Sequence, residues 1–545
     1  MKEQKESIAF YNAQIRPFAD RRIAEALLIQ EGHISAVGTT AEILGICDGK
    51  TKKIDLCGRT VLPGFYDSHL HLVETAKIID EAQLSGVRSV EELILRGRQY
   101  VELRPGSADQ WIFGRGWNQE NLEGKRYPTR HDLDKISRDR PILFQRCCGI
   151  VGVLNTRGLE LMGIDAHFSV SGGLVDKDDE GLPNGIVRRE ALDGWVKRRL
   201  PQMDRETARH LIEKMTRLCA GCGMTSAQSD DLVMYQNPDL LSSLYQEVAA
   251  SGKLAVRVGQ QYLLRNTEAL RQFIDGGNRT GSGGDRFYTG PLKVIVDGSL
   301  GSRTAALRCD YADAPGEKGL FVHSDAELVE MMTLAHQNDL QMAIHAIGDA
   351  ATEKVLDILT ELQSKHRSRW QHRIVHCQIG DKELYERMAR LHVNADVQPP
   401  FVASEWTWVP DRVGDERAAV SYAWRTLLDS GVELGGSSDS PVESYAPLWG
   451  IQTAVTRMDA SGKPEGGWLP DQKLTLEKAL RMYTLGSALV CGEADKKGTL
   501  EPGKWGDCVV LDEDPFLINP TEISAIPVVF TVSGGEMTHS DENYI

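Results

Sequence analysis

The chain has 545 residues, with 62 Lys and Arg against 78 Asp and Glu, giving a formal net charge of −16. With 41% hydrophobic and 26% charged residues it has a globular composition and is long enough to bury a large core, which excludes a disordered or collagen-like protein. Ten cysteines are too sparse for a disulfide-dense secreted scaffold, and basic runs no longer than Lys197-Arg198-Arg199 argue against a nucleic-acid partner.

The charged start, Met1 to Glu6, lacks the apolar core of a signal peptide. No apolar run reaches the roughly 18 residues of a membrane span. The expected location is the cytoplasm, with reduced thiols and no membrane partner. The first sixty residues read as β. Ile8 to Ile15 is a short strand, and residues 25–30 and 33–38 form a hairpin around Glu31-Gly32. Lys53 to Gly64 gives another strand and turn. From Thr75 to Pro201 the pattern has no clean βα rhythm, and this stretch reads as an insertion. Cys219-Ala220-Gly221-Cys222 has CxxC spacing without a second pair to complete a zinc site. It reads as a helix end running through Gly221 and Gly223 into a strand.

Beyond it, helical stretches such as Asp325 to Gln337 and Ala350 to Leu362 alternate with short apolar strands such as Met342-Ala343-Ile344. That alternation predicts βα units on a parallel sheet. Cys508 to Asp512 and Val528 to Val532 are strands again. The economical architecture is an α/β, TIM-like (β/α)8 barrel over residues 63–489, with an insertion at about 75–201. Residues 1–62 and 490–545 would form a small composite β-sandwich domain.

Chemistry concentrates at the ends of the apolar strands. Pro63-Gly64-Phe65-Tyr66-Asp67-Ser68-His69-Leu70-His71 places two histidines at i and i+2, on one face of a strand, where both imidazoles can reach one metal ion. His345 and His376 each close a short apolar run and stand 31 residues apart, the length of one βα unit. Either alone is more often a core or capping histidine than a ligand, but two spaced one unit apart favour a shared site. Asp439, in Gly435-Gly436-Ser437-Ser438-Asp439, lies 63 residues beyond His376, about two units on, and the skipped strand is Val393 to Val397. Its plain alternative is a turn or N-cap. Lys293 sits among apolar strand residues, where an uncompensated ammonium is costly. It reads either as a snorkelling side chain or as a lysine carboxylated by CO₂. Strand ends of a parallel barrel converge on one mouth. Four imidazoles, one carbamate and one carboxylate there can bind two divalent ions, with zinc suited and manganese, iron or nickel allowed.

Together these residues resemble the amidohydrolase superfamily, in the YtcJ-like branch that includes N-substituted formamide deformylases. Further matching segments are Leu62 to His71, Lys293 to Ala305, His345 to Ala351, Arg373 to His376, Gly436 to Val442, Tyr483 to Ala488 and Gly498 to Lys504. The resemblance implies that His69, His71 and Asp439 hold one metal, that His345 and His376 hold a second, and that carboxylated Lys293 bridges. It implies hydrolysis of an amide-type C–N bond, of the N-substituted formamide or amide class, by a metal-activated hydroxide. Asp439 would act as general base, then acid. Trp117, in a Gly114 to Asn118 tract like the family's glycine–tryptophan loop, and Arg303 are the expected substrate contacts. One departure stands out: Ile150 occupies the place where relatives carry a histidine. Rival readings are a cyclic amide, lactone or ester hydrolase on the same centre, and a non-catalytic metal- or metabolite-binding barrel. A small molecule is the expected partner, and a homodimer the default assembly.

Overall fold

A computed structural model describes residues 6–19, 23–147, 149, 151–201, 203–232 and 237–542. Two compact units result: one takes the chain up to Glu74 together with everything from Arg209 onward, and the other is Thr75–Ala208.

Among the described residues of the larger unit, eight parallel strands form one sheet. They are β1 (Phe65–Leu70), β2 (Met224–Ser229), β3 (Arg257–Leu263), β4 (Phe287–Ile295), β5 (Met342–Ala346), β6 (Arg373–His376), β7 (Asn394–Val397) and β8 (Leu434–Gly436). Their spatial order follows the sequence. Past the end of β8, Asp439 N–H donates to His69 O at 2.9 Å and His71 N–H donates to Ser440 O at 2.8 Å, which brings the sheet's two edges together. The result is a nearly closed (β/α)8 barrel. Short apolar runs suit it because both faces of such a strand are covered. Helices Asp325–Gln337, Asp349–Lys365 and Lys382–Arg390 connect β4 to β7. Their starts are chemically marked: Ser324 and Glu327 form a capping box, and the Asp381 side chain accepts from Leu384 N–H.

The helix carrying Cys219 ends at Gly221, Gly223 takes a left-handed turn (φ 82°), and β2 begins at Met224. Burial raises both thiols of that motif, Cys222 to about 11. The described cysteines are all free.

Two further sheets come from the chain ends. Ile8–Tyr11, Ala26–Gln30, His33–Gly38 and Lys52–Asp55 form one; Gln14–Ile15, Thr60–Pro63, Cys508–Leu511, Val528–Ser533 and Glu536–Ser540 form the other. The run expected to be one strand from Ile8 to Ile15 is split, because Asn12 (φ 54°) turns the chain from one sheet to the other. Cys57 (φ 52°) and Gly58 split the next run in the same way. Ile8, Phe10 and Leu27 of one sheet share a core with Val61, Val510, Phe530 and Val532 of the other. A bidentate pair, buried on both sides, ties β3 to this region: Arg257 Nε and Nη2 lie 2.8 and 3.1 Å from the Asp507 carboxylate.

The 75–208 unit is built on a mixed six-stranded sheet. Its order is Gly173–Lys177, Pro183–Arg189, Val151–Leu154, Ile142–Arg146, Ile112–Trp117, Ala82–Gln83. Phe144, Val153 and Ile186 pack into one cluster; their neighbours Leu143, Leu154 and Val187 pack into another. Both faces are apolar, so the polar–apolar alternation that marks a half-exposed sheet is missing. That is why no rhythm is legible there. No helix of the described residues is long and apolar enough to cross a membrane.

Candidate metal centre

The barrel brings His69, His71, Lys293, His345, His376 and Asp439 to the C-terminal ends of its strands. His69 lies in β1, and His71 just beyond that strand's last residue. Both imidazole Nε2 atoms stand 3.2 Å from Asp439 Oδ1. One ligand-type atom from each of these three residues lies within 4.8 Å of the others. Lys293 Nζ, on β4, lies 2.9 Å from His69 Nε2 and is 3% exposed. The His376 ring meets His69 and His345 edge-on, with centroids 5.8 and 4.4 Å away. His376 (φ 82°) and Asp439 (φ 53°) both occupy the left-handed region, a backbone cost of about 1–2 kcal/mol each.

The second ring nitrogens are fixed by acceptors that cannot donate. His71 Nδ1 lies 2.6 Å from Asp230 O, and His345 Nε2 lies 3.2 Å from Gly298 O. His376 Nδ1 lies 2.9 Å from Gln398 Oε1. Each of these nitrogens therefore carries a proton. For His345 and His376 that leaves the opposite nitrogen as the lone-pair donor, the arrangement a metal-binding imidazole needs.

Electrostatics sharpen this. Burial, then the Lys293 charge, presses the His69 imidazolium down to about 3 and that of His345 to about 4. Burial together with His345 holds His376 well below the usual imidazole range. Burial disfavours the Lys293 ammonium and outweighs the attraction of Asp230, Asp439 and Asp396. For Asp439 burial works the other way, but hydrogen bonds from His69 and His71 overcome it and hold the carboxyl well below the carboxylate range. His71 answers with the opposite shift: burial lowers it, Asp439 raises it more, and it rests at about 9. Neutral imidazoles at His69, His345 and His376, one ionised carboxylate and one buried amine are nitrogen and oxygen donors of the kind that divalent zinc takes, and His71 joins them once it releases its proton. The residues present fit a divalent cation.

The expected substrate contacts fare differently. Trp117 is fully buried in a core of the 75–208 unit, with its indole N–H 3.3 Å from Phe144 O and its ring edge-on to Tyr127. These are the surroundings of a core side chain that packs the unit, not of an open substrate contact. Arg303 is part-exposed, and its guanidinium is taken up by Asp313 at 2.9 and 2.7 Å. Ile150 lies outside the described residues. Sequence reasoning passed over Gln398, Asp230 and Asp297. Asp297 Oδ atoms accept from the backbone N–H groups of Ala306, Ile347 and Gly348 at 2.8–3.1 Å, pinning the loop after β4 to the turn that follows His345. Asp297 closes the Lys293 strand run, which was the one local signal; the other two carry none.

A sequence profile described as "Amidohydrolase family" matches residues 52–539. The chain is 32% identical to "Putative amidohydrolase YtcJ" of Bacillus subtilis (strain 168), covering 94% of this chain and 96% of that one. It is 27% identical to the N-substituted formamide deformylase of Arthrobacter pascens, covering 98% and 99%. Among solved structures, an uncharacterised metal-dependent hydrolase from Pyrococcus furiosus superposes with a TM-score of 0.78 at 32% identity, over 93% of this chain and 99% of the other.

Proposed function

The chain belongs to the amidohydrolase family, and from that premise we propose that it is a metal-dependent hydrolase cleaving amide-type C–N bonds of the N-substituted formamide class. The observation that carries the reading is the convergence of six ligand-type side chains on one barrel mouth, with Asp439 ionised and the imidazoles of His345 and His376 turned to leave one nitrogen unprotonated. The substrate class follows from the Arthrobacter relative, which matches this chain along nearly its whole length.

His69, His71 and Asp439 would hold one cation, and His345 and His376 a second. Lys293 would bridge them after its neutral Nζ adds CO₂, forming one N–C bond and releasing a proton. When bound, such cations supply Lewis acidity, which makes water acidic enough to ionise near neutral pH and polarises a carbonyl. Asp439 takes the proton of the attacking water on its carboxylate, then gives it to the departing nitrogen as the C–N bond breaks. Without a cation, His69 and His71 both face Oδ1 and hold that carboxylate oriented and ionised, ready for the metal that would replace their protons.

The test is elemental analysis of protein purified without chelator or histidine tag, followed by a panel of N-substituted formamides, acyl-amino acids, cyclic imides and lactones. About two equivalents of transition metal, with turnover concentrated on formamides, is the expected result. About one equivalent removes Lys293 as a bridge. No metal after incubation with zinc and bicarbonate overturns the reading, and turnover confined to lactones or cyclic imides overturns the substrate class.

A further inference from the structure

Three consecutive strand ends contribute one residue each to a buried hydrogen-bond chain. His376 is the last residue of β6, Gln398 follows the last residue of β7, and Ser437 follows the last residue of β8. His376 is 5% exposed, Gln398 3% and Ser437 not at all. His376 Nδ1 lies 2.9 Å from Gln398 Oε1, Gln398 Nε2 lies 2.9 Å from Ser437 Oγ, and Ser437 Oγ lies 3.2 Å from Val397 O.

The direction of this chain is set at its far end. Val397 O only accepts, so the Ser437 hydroxyl proton points there and Ser437 Oγ offers a lone pair to the Gln398 amide nitrogen. That nitrogen also lies 3.5 Å from Asp396 O. Turning the amide over would set its oxygen against that carbonyl and strip Val397 O of the hydroxyl. Gln398 therefore presents its oxygen to His376, and an amide oxygen cannot donate. The proton must sit on His376 Nδ1. The opposite nitrogen, Nε2, keeps its lone pair on a ring packed edge-on against His69 and His345.

We infer that Gln398, oriented by Ser437, is a positioning residue that locks His376 in the Nδ1–H tautomer and thereby prepares Nε2 as a metal donor. Gln398 touches neither substrate nor a reacting atom; it acts through the imidazole. The locking matters because only the Nδ1–H tautomer leaves a lone pair on Nε2. The inference rests on the reading of His376 as a ligand, and one arm of its test is independent of that reading.

In metal-free protein labelled with ¹⁵N-histidine, the His376 resonances are assigned by their loss in His376→Asn. Wild type is expected to show one tautomer, protonated at Nδ1. Gln398→Leu should give a mixed tautomer, and zinc affinity, measured by chelator competition, should fall about ten- to a hundredfold. Gln398→Glu keeps an acceptor oxygen at the same reach and should restore both the tautomer and most of the affinity. A merely structural glutamine would lower the melting temperature in both variants and leave the tautomer alone. Ser437→Ala, which frees the amide to turn over, should give an intermediate tautomer ratio and serves if Gln398→Leu does not fold. A persistent Nδ1–H tautomer in Gln398→Leu and Ser437→Ala, or equal losses in the Leu and Glu variants, overturns the inference. A wild-type protein that binds no zinc defeats the proposed function instead, and the tautomer arm still decides the role of Gln398.

Discussion

Replacing Asp439 by Asn keeps the shape of the side chain and removes the charge on which His69 and His71 converge. Turnover should drop by about 10²–10⁴-fold, the share general base and acid catalysis usually supplies. Elemental analysis should still find metal on the variant. Unchanged turnover would remove Asp439 from the proton path. A second carboxyl makes a pH-dependent prediction. Glu405 accepts from Tyr422 and from Gln378, yet burial outweighs both, and with the Glu443 charge lifts it from 4.5 to about 7. Between those two values the folded chain holds a proton that the unfolded chain releases. Stability contributed at this site is therefore intact below about pH 4.5 and falls as pH rises toward 7. Glu405→Gln should flatten that part of the wild-type curve of urea midpoint against pH. An identical slope in both proteins would show that Glu405 titrates normally. Residues such as His69, His71, His345, His376 and Asp439 were legible in sequence because each stands in or beside a short apolar run, a purely local signal. Gln398 was not, since its meaning lies in partners 22 and 39 positions away.

Loops at the barrel mouth are organised by buried acceptors more than by their own turns. Asp297 shows this most directly. Burial pushes its carboxyl up to about 7, against the pull of the three backbone N–H groups of Gly348, Ile347 and Ala306. Asp297→Ala would leave those donors buried and unpaired, costing about 3 kcal/mol in urea unfolding. It should also weaken zinc binding through His345, whose strand end the carboxylate anchors. Loss of less than about 1 kcal/mol would mean that water replaces the carboxylate fully. The same dependence on distant partners explains which elements could be read. Helix Asp325–Gln337 matches its sequence boundaries because Ser324 and Glu327 announce its start locally. The inner strands Ile142–Arg146 and Val151–Leu154 of the 75–208 unit did not announce themselves, because they carry apolar residues to both faces. The break at Asn12 passed unnoticed because one left-handed residue carries no periodic signature.

Taken as a whole, the barrel rests on a β core assembled from both ends of the chain. Phe530 stacks on Phe10 with ring centroids 6.3 Å apart and is 6% exposed. Phe530→Ala should cost about 3–5 kcal/mol, because the cavity opens between the two sheets and not at a surface. Chemical denaturation would check this, and a cost below about 1 kcal/mol would show that the two sheets close over the gap. Strand Thr60–Pro63 pairs on one side with Gln14–Ile15 and on the other with Cys508–Leu511. During synthesis that second partner does not yet exist when Thr60 leaves the ribosome. At roughly 5–20 residues per second, the intervening 440-odd residues take about 20 to 90 seconds. Throughout that interval Ile8, Phe10, Leu27 and Val61 lack the apolar cover that Val510, Phe530 and Val532 later provide. The nascent chain thus presents an open strand edge and a half-built apolar face for the whole time the barrel is being made. Only the translation of the segment from Val510 to Val532 ends this exposure.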